Sequence, residues 1–393
     1  LNIAILLQWP LRMTTSLSDM KKDQSFRIMV AAGGTGGHVY PALAIAEALV
    51  RLFPNVTLGF VGGVGGFERP LMRETTVEFA SYDEVRSGPL HGVNILKMIA
   101  SGIQLIIGTI QALWLVKRRK PDALLLTGGW VGLPVALAAW VWRVPSMIFL
   151  PDIEPGLTIQ VLRRLVKRVA LTVDESKVYF PSNETVTTGY PLRQTMLEAT
   201  REAAITQFGL DPTRKTLLVF GGSRGSRAIN NVLLDILPQL LADGVQVIHV
   251  TGTLDWPEIE AKFKQMADTT HYHVYPYLHH EMGLAMAGAD VVVCRSGASV
   301  LGEFPLFGLP SILVPLAYAW RYQKVNADYL AQRGAAIELD EKVMAERLLP
   351  TIHDLLHDPA RLDTMRQSAR ALARPDGAAC AAESLAELAG AKP

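Results

Sequence analysis

The chain has 393 residues, of which 49% are hydrophobic and 19% charged, with a formal net charge of +1. That length corresponds to two domains at about 150 residues each, and the apolar content excludes a disordered or low-complexity protein. A near-zero charge gives no global sign of a nucleic-acid partner, and two cysteines, Cys294 and Cys380, form neither a disulfide framework nor a metal-ligand pattern.

The charge is unevenly spread. Residues 1–190 carry 19 Lys+Arg against 14 Asp+Glu, and the remainder 19 against 23. Residues 97–168 hold 10 basic and 3 acidic side chains within very apolar sequence. That combination fits an anionic membrane surface better than DNA.

In chain order, residues 1–12 are apolar but lack the basic start of a secretory signal, and Met13 is a candidate initiator. Residues 1–25 are expected to form a disordered leader. Short apolar runs then alternate with helical stretches, the mark of parallel βαβ units. The strands expected in the first half are Arg27–Ala32, Val56–Val61, Ala123–Thr127, Ser146–Leu150 and Val169–Val173. In the second half they are Thr216–Phe220, Val245–Val250, Val291–Cys294 and Ser311–Val314. Met98–Val116 and Ala123–Trp142 lack charge for about a membrane's thickness. Gly128, Gly129, Gly132 and Pro134 break the second into strand, turn and helix. The first reads as an apolar helix with one small or polar face formed by Ser101, Gln104, Gly108 and Gln111.

Each half opens on a strand, a glycine-rich turn and a helix. The turns are Gly33-Gly34-Thr35-Gly36-Gly37 and Gly221-Gly222-Ser223-Arg224-Gly225. The expected fold is α/β, with two Rossmann-like doubly wound parallel-sheet domains facing across a cleft. Residues 26–188 would form the first domain and 189–365 the second. Residues 366–393 would form a helical segment packing back on the first. Glycine there lets backbone N–H groups approach a phosphate or sugar, and the helix behind adds partial positive charge. Neither turn has the dinucleotide fingerprint GxGxxG or the P-loop pattern GxxxxGK[ST], so NAD and P-loop nucleotide chemistry are excluded.

The first turn continues as His38-Val39-Tyr40-Pro41-Ala42-Leu43-Ala44, and at this point the sequence resembles the MurG-type N-acetylglucosaminyltransferases of glycosyltransferase family 28. Further stretches follow in that family's order. Gly128-Gly129-Trp130-Val131-Gly132-Leu133-Pro134 is similar to its GGY-type loop, and Thr188-Gly189-Tyr190-Pro191-Leu192-Arg193 to its TGNPVR element. Residues 221–230, ending in Asn230, resemble its GGSxGAxxxN loop. Cys294-Arg295-Ser296-Gly297-Ala298-Ser299 with Glu303 resembles its donor-site helix, and Gln323 with Asn326 its QxxN pair. The resemblance covers about residues 27–375.

It implies a GT-B fold and an inverting transfer from UDP-GlcNAc to lipid I, at the cytoplasmic face of the cell membrane and without metal or cofactor. By the same resemblance Thr35, Gly36 and Gly37 face the sugar side of the cleft, and Arg193 and Ser223 contact the diphosphate. Leu278 meets the uracil through its backbone, Ala298 and Ser299 belong to the donor site, Glu303 binds ribose hydroxyls and Gln323 sugar hydroxyls. The residue types suit the chemistry, since a leaving UDP develops phosphate charge that Arg193, Ser223 and a helix N-terminus stabilise.

Each assignment has a plainer alternative. His38 is a candidate general base or a loop-holding histidine. Glu303 binds ribose or is a solvated helix carboxylate, Arg193 binds phosphate or makes an interdomain salt bridge, and Gln323 binds sugar or is a surface amide. The chain also departs from the family. The QNxxxGLTN stretch appears as Pro151-Asp152-Ile153-Glu154-Pro155-Gly156-Leu157-Thr158-Ile159, with Asp152 in place of a substrate-reaching asparagine and Ile159 in place of the second. An anion at Asp152 would repel a pyrophosphate-bearing acceptor. A different lipid or small-molecule acceptor, a UDP-GlcNAc 2-epimerase and a non-catalytic UDP-sugar-binding protein therefore stay open as alternatives.

Overall fold

A computed structural model of the chain describes residues 25–391 except 35, 67, 90, 91, 223, 224 and 317–320, and only the backbone of residues 73, 74 and 321. The expected leader up to residue 24, and the site residues Thr35 and Ser223, lie outside the described residues.

The first half builds β1 (Arg27–Ala32), β2 (Thr57–Gly63), β3 (Ser81–Val85), β4 (Ala123–Gly128), β5 (Ser146–Leu150), β6 (Arg168–Leu171) and β7 (Glu184–Thr187). They form one parallel sheet in the order β3-β2-β1-β4-β5-β6-β7. The second half builds β8 (Thr216–Phe220), β9 (Gln246–Val250), β10 (Tyr272–Tyr275), β11 (Val291–Cys294), β12 (Ser311–Leu313) and β13 (Ala336–Glu338). Their order is β10-β9-β8-β11-β12-β13, again parallel. β1, β4 and β5 are buried almost throughout because helices cover both faces, which is why their sequences read as continuous apolar runs.

In both sheets the strand order reverses beside the strand that carries a glycine-rich turn, between β1 and β4 and between β8 and β11. Ligands of open α/β sheets bind at that reversal, outside the carboxyl ends of the strands. The β1–β4 register shifts between Ala31 and Ala32, so that Ala32 pairs with Gly128 and the two glycine loops come side by side.

The chain crosses back at its end. Helix Gly377–Leu388 packs on helix Gly36–Leu52 and on β4 and β5 of the first sheet. Arg168, at the start of β6, is buried beneath this crossing and bonds Ser384 at 3.0 Å and Glu387 at 2.7 Å, with Glu184 as a third partner.

Helix Ile95–Arg119 reverses the usual amphipathic arrangement. Its small positions Ser101, Gly108 and Ala112 are buried with Leu105, while Ile99, Ile103, Ile106, Ile110 and Trp114 face outward. Gly108 is needed there: a Cβ would lie 1.9 Å from the Arg86 carbonyl oxygen. Gln111, on the expected polar face, is exposed and accepts the Arg86 N–H at 3.0 Å.

Candidate active site

The first glycine loop delivers His38, half-buried in the first turns of helix Gly36–Leu52, with Gly36 buried and Gly37 exposed beside it. The ring is fixed from two sides. Its Nδ1 lies 3.1 Å from the Gly33 carbonyl oxygen, and a Cβ on Gly128 would fall 2.5 Å from its Cδ2. A carbonyl can only accept, so Nδ1 carries the proton and Nε2 the lone pair. Burial pushes the ring's pKa below the usual histidine value, and the Gly33 bond partly opposes this. The product is a neutral imidazole at physiological pH, the form a general base requires. The Thr127 hydroxyl donates to the His38 carbonyl at 2.7 Å and ties the helix start to β4.

Facing it, the second glycine loop leads into helix Arg227–Ala242. Beneath that loop runs a buried polar chain. The Asn230 Nδ2 donates to the Thr251 carbonyl and to Asp255 Oδ2, both at 2.9 Å. Its Oδ1 pairs with His249 Nε2 at 2.9 Å, and His249 Nδ1 with the Tyr272 hydroxyl at 2.8 Å. The motif asparagine is therefore spent on holding the loop's supports together. Above it, Arg295 Nε donates to Ser226 Oγ at 3.1 Å.

Glu303 sits in the first turn of helix Val300–Phe307, half-buried. Burial raises its carboxyl pKa, while a hydrogen bond from Ser299 and the positive charge of Arg193 act the other way. It is thus not a solvated helix carboxylate. Ala298, just before Ser299, packs half-buried against the core.

Arg193 does not make an interdomain salt bridge among the described residues. Its guanidinium lies 4.5 Å from the centre of the Tyr40 ring, and Nη2 reaches the His279 carbonyl at 3.5 Å, next to buried Leu278. The Tyr40 and Tyr277 hydroxyls meet at 3.2 Å across the cleft.

Gln323 is no plain surface amide: its Oε1 accepts the Leu316 N–H at 3.0 Å and its carbonyl accepts the Ser296 hydroxyl at 2.7 Å. Asn326 is fully buried, with Nδ2 donating to Asp152 Oδ1 at 2.9 Å and to the Ser296 carbonyl at 3.2 Å. Both its amide protons are committed to protein acceptors. Asp152, with its pKa raised by burial, belongs to this junction.

Two features escaped the sequence reading. Glu68 is buried against the first glycine loop, where its Oε1 accepts the Gly34 N–H at 3.1 Å. Its signal was the Gly65-Gly66 pair at the end of β2, a third glycine turn at the same edge of the sheet. Tyr277 had no signal at all.

Two facing Rossmann-like parallel-sheet domains, with His38 on one side of the cleft and Arg193 and Glu303 on the other, are the architecture of a nucleotide-sugar transferase of the GT-B class. The family models agree: residues 28–171 match the glycosyltransferase family 28 N-terminal domain and residues 216–380 the family's C-terminal domain. The chain belongs to glycosyltransferase family 28. It is 38% identical, over 90% of its length and 92% of the relative's, to the UDP-N-acetylglucosamine--N-acetylmuramyl-(pentapeptide) pyrophosphoryl-undecaprenol N-acetylglucosamine transferase of Roseiflexus sp. (strain RS-1). To the protein so named in Bacillus subtilis (strain 168) it is 31% identical over 92% and 99%. Among solved structures it is similar to Acinetobacter baumannii MurG, with a TM-score of 0.71, 26% identity and coverage of 92% of this chain and 99% of that one. A UDP-GlcNAc 2-epimerase from Neisseria meningitidis, at TM-score 0.67 but 13% identity over 92% and 100% of the two chains, shares the fold alone.

Proposed function

We propose that this chain transfers GlcNAc, with inversion, from UDP-GlcNAc to undecaprenyl-pyrophosphoryl-MurNAc-pentapeptide (lipid I), producing lipid II for peptidoglycan. The observation that carries the reading is the His38 Nδ1 contact to the Gly33 carbonyl, which presents Nε2 as a base at the acceptor rim, a group for which a non-catalytic binding subunit has no use. Relatives named for this reaction, matched over nine-tenths of the chain, supply the substrates.

In this reading His38 Nε2 removes the proton of the acceptor hydroxyl as that oxygen attacks the anomeric carbon. The new glycosidic bond forms on the face opposite the diphosphate, the old carbon–oxygen bond breaks, and UDP leaves with the electron pair. Arg193, the Ser223 turn and the N-terminus of helix Arg227–Ala242 stabilise the departing charge. Glu303 accepts from the ribose hydroxyls, the Leu278 backbone meets the uracil, and Gln323 holds the sugar. Thr35, Gly36 and Gly37 line the acceptor side. Residues 26–188 serve the acceptor and residues 189–365 the donor, with 366–393 returning to the first domain.

The chain would work docked peripherally on the cytoplasmic face of the membrane. Ile99, Ile103, Ile106, Ile110 and Trp114 recur every three to four residues, each more than half exposed. Trp140, Val141 and Trp142 extend this apolar surface from the adjoining helix Gly132–Val141. Lys117 lies 5.4 Å from the Trp142 ring centre and Arg118 5.0 Å from that of Trp114, so cations rim the patch. Arg168, counted with these cations from the sequence, is withdrawn from the rim because it is buried against Glu184 and Glu387.

A transfer assay with radiolabelled UDP-GlcNAc and a panel of lipid acceptors tests the function. Product with lipid I and none with diacylglycerol or flavonoid acceptors is expected. Release of ManNAc without acceptor would select the epimerase, and nucleotide binding without turnover the binding protein.

A further inference from the structure

Glu68 is 2% exposed, and its Oε2 has no hydrogen-bond partner among the described residues. Burying a carboxyl with one oxygen unsatisfied is costly, so its retention beside the cleft calls for a reason. The Gly33–Gly34 peptide supplies one. Its N–H donates to Glu68 Oε1 at 3.1 Å, and its C=O accepts from His38 Nδ1 at 3.1 Å. One peptide unit thus connects a buried carboxyl to the far nitrogen of the candidate base.

The fit is tight on both sides of Glu68. A Cβ on Gly33 would lie 2.1 Å from Oε1, and one on Gly66 1.8 Å from Oε2. Two glycines therefore give way to this one side chain. We propose that Glu68 is a positioning residue for the transfer: acting through the Gly33–Gly34 peptide, it holds His38 in the Nδ1–H tautomer and makes its ring more basic.

The physical chain is short. An anion accepting the Gly34 N–H polarises the peptide, and hydrogen bonds in series strengthen one another. The Gly33 oxygen becomes a better acceptor, which favours the imidazolium formed when Nε2 takes a proton. This opposes the desolvation that otherwise weakens the base. Among the described residues the ring lies against the Gly33 carbonyl and against Gly34 and Gly128, and burial and the Gly33 bond set the direction of its shift. The Gly33–Gly34 peptide is the path that joins Glu68 to it. The charge of Glu68 is felt on its other side, where it joins burial in pushing Tyr82 up to about 12.

This inference rests on His38 being the base, and the test separates the two. Glu68→Gln keeps the shape and an acceptor oxygen but removes the charge. It should lower kcat about 10–100-fold, the range seen when the partner orienting a metal-bound histidine is lost, with the donor KM unchanged. The acidic limb of the kcat profile should move to lower pH, because a less basic His38 stays neutral further into acid. Nitrogen NMR of the His38 ring should show a mixture of tautomers in place of Nδ1–H. Unchanged tautomer, pH profile and kcat in Glu68→Gln would overturn the relay. His38→Ala should lower kcat about 10²–10⁴-fold. Near-normal turnover in that variant overturns the base reading, even where Glu68→Gln still shifts the tautomer. Should Glu68→Gln fail to fold, the wild-type protein decides alone: the Gly34 amide resonance should titrate with the His38 midpoint, and an indifferent Gly34 amide defeats the proposal.

Discussion

The Asn326 Nδ2 donates to Asp152 Oδ1 at 2.9 Å, joining residues 174 positions apart on opposite sides of the cleft. The Asp152 backbone neighbour takes part too, since the Ile153 N–H points at Asn326 Oδ1 at 3.4 Å. The same contact that closes the two domains also places a carboxyl in a buried position.

Burial raises the pKa of Asp152 more than the Asn326 bond lowers it. A carboxyl whose folded pKa lies above its unfolded value contributes stability fully below the unfolded pKa, and loses it as pH rises through the folded one. Asp152→Asn keeps an acceptor for Asn326 and removes the ionisation. The variant should melt higher than the wild type at pH 7, by a margin that shrinks towards pH 4. Thermal melts across that range check it, and a margin that grows in acid would show the sign to be wrong.

Glu303→Ala should weaken UDP binding by about 1.5–3 kcal/mol for each charge-assisted hydrogen bond lost. Because burial holds this carboxyl above the usual glutamate range, UDP affinity should begin to fall at a higher pH than an ordinary glutamate would give. Calorimetric titration of UDP from pH 8 to pH 5 reads both effects. Equal affinity for the two proteins would remove Glu303 from the donor site.

The four strands that sequence reading passed over, β3, β7, β10 and β13, are the edges of the two sheets. An edge strand is covered less completely, so Ser81–Val85 and Glu184–Thr187 carry polar residues and lack the unbroken apolar run of the centre. The central strands and both glycine turns were legible for the opposite reason. The apolar character of Met98–Val116 was readable too, but not which face would be covered, because small residues pack inward on a helix that bears its bulk outward. Of the site, the motif residues could be read, but their partners could not. Neither Glu68 beneath Gly34 nor Asn326 against Asp152 follows from spacing, because each bond joins different elements brought together by the fold.

His249 is completely buried between Asn230 and Tyr272, and burial pushes its pKa down to about 3. Asn230 Oδ1 accepts, so Nε2 donates and Nδ1 receives the Tyr272 proton, the pattern of a neutral ring. His249→Phe leaves two buried polar groups unpaired, at about 1–3 kcal/mol each, which for a domain of about 150–250 residues lowers the melting temperature by about 2–4 °C per kcal/mol. A depressed folded pKa contributes stability above the unfolded value of 6.5 that is lost as pH falls towards 3. The deficit of the variant should therefore narrow between pH 6.5 and 3 in paired denaturant titrations. A deficit constant over that range would mean the histidine does not titrate on unfolding.

Membrane attachment separates into two measurable alternatives. Helix Ile95–Arg119 is long and apolar enough to cross a bilayer by length and composition. One of its faces, however, is buried through Ser101, Leu105, Gly108, Ala112 and Leu115. A helix committed to its own domain on one side offers only the other to lipid, which favours lying at the interface over spanning. Lys117, Arg118 and Lys120 are exposed at its C-terminal end, each worth about 1 kcal/mol against an anionic surface, while Arg119 is partly engaged by Asp83 at 3.0 Å. The outward isoleucines and Trp114 add burial on top of that attraction. Flotation with anionic vesicles should show binding that weakens with salt, with charge reversal at residues 117–120, and with Ile103→Glu or Ile110→Glu. Zwitterionic vesicles should capture less protein at low salt, with the two vesicle types converging as salt screens the charges. Indifference to anionic vesicles at low salt would end the docking idea, and retention through high salt and alkaline carbonate would show that the helix spans the bilayer.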